Sequence, residues 1–78
     1  MKVEVFGPGC PRCHEALANV KKAAGAIAGA EVVYIDDLAE IARRGILSTP
    51  AVLVGGKILF SGRVPTVEEA ELALGAAS

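Results

Sequence analysis

Gly7-Pro8-Gly9-Cys10-Pro11-Arg12-Cys13-His14 is the stretch on which the reading of this chain turns. Lys2 to Phe6, just before it, alternates polar and apolar residues and stops at Gly7-Pro8-Gly9, as a strand does when it runs into a tight turn. After the turn, Pro11 stands where a first helical position tolerates proline. Cys13, Leu17, Val20, Ala24 and Ile27 then recur at spacings of four, three, four and three. This stripe predicts an amphipathic helix ending near Gly29, with Arg12, Glu15, Asn19 and Lys22 on its outer side. The two cysteines thus sit three apart at a strand-to-helix junction.

That placement gives the two thiols different chemistry. Cys13 heads the apolar stripe, so its sulfur is expected to face the core, whereas Cys10 precedes the helix and is expected to be more exposed. A thiolate at Cys10 meets the unsatisfied amide hydrogens and the positive dipole end of the helix, which lower its pKa from an unperturbed value of about 8.5. Arg12 adds a positive charge nearby. Cys10 is therefore the expected nucleophile toward a disulfide and Cys13 the resolving thiol, leaving a Cys10-Cys13 bridge that must later be reduced.

Outward from the motif, Glu31 to Ile35 is β-branched and aromatic, a run suited to a strand buried on both faces and parallel to the first. Asp36 or Asp37 can cap a short second helix with Leu38, Ile41 and Ala42 inward and Gly45 as its stop. Ala51 to Val54 and Lys57 to Ser61 flank Gly55-Gly56, a link suited to a primed hairpin turn. Thr66 followed by Glu69 is a capping-box signature that opens a last helix through about Leu74. The order is βαβαββα, an α/β fold with a central four-stranded mixed sheet flanked by helices, and residues 1–78 form one domain.

A chain of 78 residues, 53% apolar, holds one core without disulfide scaffolding or a structural metal. The net charge of −1, with lysine and arginine dispersed, offers no basic stripe to nucleic acid or an anionic membrane. The start reaches Gly7 too soon for a signal-peptide apolar region, and no stretch approaches a membrane span, so a soluble cytoplasmic protein is expected; a monomer is expected as well. Two cysteines close in sequence point to redox or metal chemistry rather than to a secreted disulfide framework.

Gly9-Cys10-Pro11-Arg12-Cys13, Gly45-Ile46-Leu47-Ser48-Thr49-Pro50 and Gly62 after the hairpin together resemble the thioredoxin and glutaredoxin superfamily. They are most similar to its small trimmed reductases of archaea and bacteria, over nearly the whole chain. Bond statistics alone favour a trans Thr49-Pro50 bond, cis being about 5 to 6% of X-Pro bonds; the resemblance implies cis. It also implies that Thr49 and Pro50 pair their backbone with extended substrate beside Cys10, with Pro11, Arg12, Gly62 and Arg63 completing the substrate-contacting set. The implied activity is reduction of protein disulfides with no bound cofactor. The family's tryptophan before the motif is here Gly9. Glu4, six residues before Cys10, stands where the family has a buried acid that assists proton transfer, but the acid's usual lysine partner falls at Val32. The alternative for Glu4 is a carboxylate at the solvent-side end of the strand. Ser61-Gly62-Arg63-Val64 lacks the glutathione-holding stretch of glutaredoxins, so a dithiol reductase is the expected donor.

Three other readings compete. Cys10-Pro11-Arg12-Cys13-His14 matches the signature for covalent haem attachment, yet the only Met is Met1 and no second His exists to complete the axial ligands. His14 is then a solvated first-turn residue, or one close enough to Cys10 to influence the thiolate or shuttle a proton. A soft-metal module holding Cu(I) on the two thiolates would run βαββαβ, whereas Asp36 to Arg44 reads as helix and the chain ends in one. A structural cysteine pair would require both to be buried, against Pro11-Arg12 between them.

Overall fold

The computed structural model of the chain describes residues 1–77. Its elements are β1 (Lys2–Phe6), α1 (Pro11–Ala24), β2 (Glu31–Ile35), α2 (Leu38–Arg43), β3 (Ala51–Val54), β4 (Lys57–Ser61) and α3 (Val67–Ala77), the expected βαβαββα order. The four strands form one mixed sheet in the order β2-β1-β3-β4. β1 is parallel to β2 and antiparallel to β3, and β3 is antiparallel to β4.

Because side chains alternate along a strand, β1 presents Val3 and Val5 to one layer and Glu4 and Phe6 to the other. Val3 and Val5, with Val52 of β3, pack under Val20, Ala23 and Ala24 of α1 and Ala70 and Leu74 of α3. On the other face Phe6, Ala51 and Leu53 pack with Ile41 and Ile46 at the α2 side. Full burial of one such side chain stabilises by about 1.5–3 kcal/mol, so both layers hold β1 in the middle of the sheet. Among the described residues no helix is long and apolar enough to cross a membrane.

Local signals account for the ends. Asp37 caps α2 by accepting from the Ala39 N–H at 3.0 Å. At the far end, Gly45 (φ +74) donates to Ala42 O and Ile46 N–H reaches Ile41 O, with Ile41 and Ile46 in one cluster. This is a Schellman stop, which requires a left-handed residue where glycine stands. Gly55 and Gly56, at φ +59 and +81, make the primed hairpin turn. Thr66 and Glu69 bond each other's backbone N–H at 3.0 Å, closing the capping box of α3.

Four expectations need correction. α1 ends at Ala24 rather than near Gly29, because Ala26 and Ile27 bond back only three residues, to Ala23 and Ala24. Its inner face is Cys13, Ala16, Val20, Ala23 and Ala24, with Leu17 half-buried, since small residues let the helix lie close to the sheet and α3. β2 is an edge strand, half-buried rather than covered on both faces, because the β3–β4 hairpin takes the other side of β1. In α2 only Ile41 is buried; Leu38 and Ala42 are exposed, and Ile46 beyond the Schellman turn completes that layer.

Candidate active site

β1 ends at Phe6, and Gly7 continues its line by donating to Ile35 O at 3.0 Å. The Gly7-Pro8-Gly9 turn then delivers Cys10 to the N-cap of α1, in extended conformation (φ −71, ψ 163), with Pro11 opening the helix. An N-cap side chain faces amide hydrogens that have no partner inside the helix. Cys10 Sγ accepts from the Cys13 N–H at 3.4 Å and lies 2.7 Å from Cys13 Sγ. Cys13 is fully buried and Cys10 only partly.

The unequal surroundings pull the two thiols apart. A hydrogen bond from the Cys13 thiol, and then from the backbone N–H groups of Cys13 and Arg12, holds Cys10 below the ordinary cysteine value. Burial pushes Cys13 up, and the bond it gives to Cys10 pushes it further. The proton therefore stays on the inner sulfur and the charge on the outer one, where helix amides receive it. Arg12 contributes its backbone N–H rather than its guanidinium, which donates to Gly62 O at 3.2 Å instead.

That last contact ties the start of α1 to the segment after β4. Gly62 also donates its N–H to Pro50 O at 3.0 Å, and Ser61 Oγ donates to Ser48 O. Gly62 has φ +77, and a Cβ there would stand 3.0 Å from Ser48 Cβ, so both backbone and space call for glycine. The Thr49-Pro50 bond is cis, as the resemblance implies; Pro50 is buried and Thr49 half-buried. Arg12, Gly62, Ser48, Thr49 and Pro50 thus form one connected strip running from the cysteine motif. Arg63, next to it, pairs with Glu69 at 2.6 Å and lies over the Phe60 ring, so its charge is engaged with α3.

Glu4 goes elsewhere. It is 7% exposed, and Arg44 grips it with two hydrogen bonds of 3.0 and 2.8 Å while lying over the Phe6 ring on the α2 face of β1. It is not a carboxylate at a solvent-side strand end: the partner absent at Val32 is supplied by Arg44, forty residues on. The Arg44 hydrogen bonds hold its carboxyl below the usual range against the opposing effect of burial. Glu40 binds the same guanidinium at 2.9 Å. His14 is exposed, with Nε2 3.9 Å from where a Cβ on Gly9 would start.

Two residues at the site escape sequence reasoning. A Cβ on Gly7 would lie 2.4 Å from Cys13 Sγ and 2.7 Å from Cys13 Cβ, so Cys13 packs directly on the glycine. Tyr34 of β2 donates its hydroxyl to Gly7 O at 2.8 Å, and its ring lies 6.0 Å from that of His14. In the sequence Gly7 reads only as turn punctuation and Tyr34 only as a strand former. The pairing of Val5 with Tyr34 across β1 and β2 is what brings the phenol under the motif.

Comparison with known proteins gives a consistent result. A family model described as thioredoxin domain matches residues 1–74. A thioredoxin of Methanocaldococcus jannaschii is 41% identical over 68 residues, covering 86% of this chain and 78% of that protein. A thioredoxin of Methanothermobacter thermautotrophicus is 30% identical over 70 residues, 88% of this chain and 91% of that one. An uncharacterized 9.0 kDa protein of Acidithiobacillus ferrooxidans is 32% identical over 75 residues, 91% and 87% of the two chains.

Proposed function

Since the chain belongs to the thioredoxin-domain family, we propose that it is a thiol-disulfide oxidoreductase that reduces protein disulfides through Cys10 and Cys13. The observation that carries this reading is the sulfur pair itself: 2.7 Å apart, one sulfur accessible at a helix N-terminus with its pKa lowered, the other buried with its pKa raised. The Cys10 thiolate attacks one sulfur of a substrate disulfide, and the other sulfur leaves with the electron pair and takes a proton. Cys13 then loses its proton and attacks Cys10 Sγ. The second substrate sulfur leaves as a thiol, and Cys10 and Cys13 are left oxidised to a disulfide. Two electrons pass from the pair to the substrate.

In this reading substrate lies extended along Thr49 and Pro50, between Pro11-Arg12 and Gly62-Arg63. The Arg12 to Gly62 bond supports it by fixing the two sides of that strip together. A protein dithiol of a reductase returns the electrons, in a cytoplasm that keeps thiols reduced. In this reading Glu4 is not the proton acceptor, because a carboxylate gripped by Arg44 and held below its usual pKa is a weak base. The test is turnover of a protein disulfide with dithiothreitol as donor. Wild type should turn over and Cys10→Ser should be inactive, since a serine hydroxyl does not attack a disulfide at neutral pH. Activity retained by Cys10→Ser would sink the reading.

A further inference from the structure

We propose that Tyr34 is a positioning residue for the resolving thiol: its hydroxyl, held on Gly7 O beside Cys13, turns to the Cys13 sulfur when that sulfur becomes a thiolate. The inference rests on the reading of Cys13 as the resolving thiol. It begins with the geometry at Gly7. The point where a side chain on Gly7 would begin lies 2.4 Å from Cys13 Sγ and 3.5 Å from Tyr34 Oη, so sulfur and hydroxyl border the same small volume. The hydroxyl is fixed there from outside the motif, by β2 pairing with β1 and by the 2.8 Å bond to Gly7 O.

The resolving step needs such a group. Cys13 is fully buried, and it must lose its proton before it attacks Cys10 Sγ. In the mixed disulfide Cys10 carries no charge and accepts no proton, so it cannot share the cost. Glu4 is gripped by Arg44 on the α2 face. A hydroxyl rotates freely about its C–O bond to suit its acceptor. Hydrogen bonds to an ionised acceptor are roughly twice as strong as those between neutral groups, so a thiolate at Cys13 outcompetes the Gly7 carbonyl for the phenol proton. No proton is transferred: the bond changes acceptor, the thiolate attacks, and the proton released by Cys13 goes to solvent. The groups that act on this hydroxyl are the Gly9 N–H, Cys10 at the α1 N-cap, Cys13 of α1 and Asp36 just beyond β2, with the His14 ring 6.0 Å from the tyrosine ring. Burial raises the Tyr34 pKa and negative charge at Cys13 raises it further, so the phenol remains a donor through neutral pH.

The test separates the two chemical steps. With an aromatic disulfide reagent that releases a coloured thiolate, Cys10 liberates the first equivalent and Cys13 the second, and both are followed by stopped flow across the neutral range. In Tyr34→Phe, which keeps the ring, the first release should match wild type. The second should slow about tenfold at neutral pH, the change made by one pKa unit at Cys13, and its pH midpoint should move up. An unchanged second step overturns the proposal, and so does equal slowing of both steps, which marks Tyr34 as a mere loop anchor. If Cys13→Ser also releases the second equivalent rapidly, the two-thiol reading itself fails, a distinguishable result. Should Tyr34→Phe not fold, wild type still decides. Tyr34 is the only tyrosine and the chain has no tryptophan, so its near-ultraviolet titration is unobstructed. The phenol should titrate at higher pH in the reduced protein than in the disulfide form, and identical midpoints overturn the proposal.

Discussion

Gly7→Ala probes the packing that sets the distance between the two sulfurs. Gly7 has no positive φ, so the backbone accepts alanine and only space resists it. The added methyl would stand 2.4 Å from Cys13 Sγ and 2.7 Å from Cys13 Cβ, both well inside the optimal separation of about 3.5–4.0 Å. Turning the thiol to another rotamer relieves the first contact but not the second, so the first turn of α1 must retreat. Overpacking of this kind costs about 1–3 kcal/mol, offset by about 0.4–1 kcal/mol from the less flexible unfolded chain. The central net loss is about 1.3 kcal/mol, and at about 4–8 °C per kcal/mol for a domain of this size the thermal midpoint falls by roughly 5–10 °C. The same retreat carries Cys13 away from Cys10, so release of the second thiol in the two-step assay slows as well. Gly25→Ala serves as the opposite control. Gly25 has helical dihedrals (φ −62) at the C-cap of α1 and a Cβ there meets only Lys22 O at 3.4 Å and Lys21 O at 3.6 Å, so alanine should stabilise by about 0.4–1 kcal/mol by restricting the unfolded chain. Thermal unfolding by circular dichroism under reducing conditions reads both. A Gly7→Ala midpoint equal to wild type, or both variants shifting the same way, would refute the packing argument.

Arg44→Met should destabilise the protein in a pH-dependent way. In wild type the Glu4 pKa lies below its unfolded value of about 4.3. Its contribution is therefore present above that pH and lost as pH falls through the folded value. Without Arg44, burial is the main remaining influence on Glu4 and raises its pKa, so the ionised carboxylate becomes a penalty that acid removes. The gap in thermal midpoint between wild type and variant should be widest at neutral pH and narrow as pH falls through about 4; a constant gap would show that Glu4 is not the group involved. The choice of donor is tested by comparing a dithiol with glutathione in protein-disulfide turnover. The dithiol should support faster turnover, and equal rates with glutathione alone would contradict the reading of Ser61-Gly62-Arg63-Val64.

The parts of the fold that sequence made legible are those governed by local chemistry. Gly45 after α2, Gly55-Gly56 between β3 and β4, and Thr66 with Glu69 each determine an element boundary through bonds within six residues of themselves. The cysteine motif was legible for the same reason, since an N-cap sulfur and a stripe residue three positions later are both local features. What stayed hidden depends on partners distant in sequence. Arg44 completes Glu4 across forty residues, Tyr34 reaches Gly7 across twenty-seven, and Arg12 finds Gly62 across fifty. β2 reads as doubly covered because its composition suits a buried strand, yet its place at the sheet edge is settled by where the hairpin docks. The apolar periodicity of α1 points to Leu17 and not to Ala16 and Ala23, because it weighs size, whereas close helix packing selects small residues.

The most direct test of the central claim is to mix the Cys13→Ser variant with a protein disulfide and map the resulting adduct by mass spectrometry, alongside timed alkylation of the reduced wild type at neutral pH. Loss of the resolving thiol should leave a stable mixed disulfide through Cys10, and in wild type Cys10 should alkylate much faster than Cys13, as its exposure and lowered pKa require. Equal alkylation of the two cysteines, or no adduct at Cys10, would contradict the division into an attacking and a resolving sulfur.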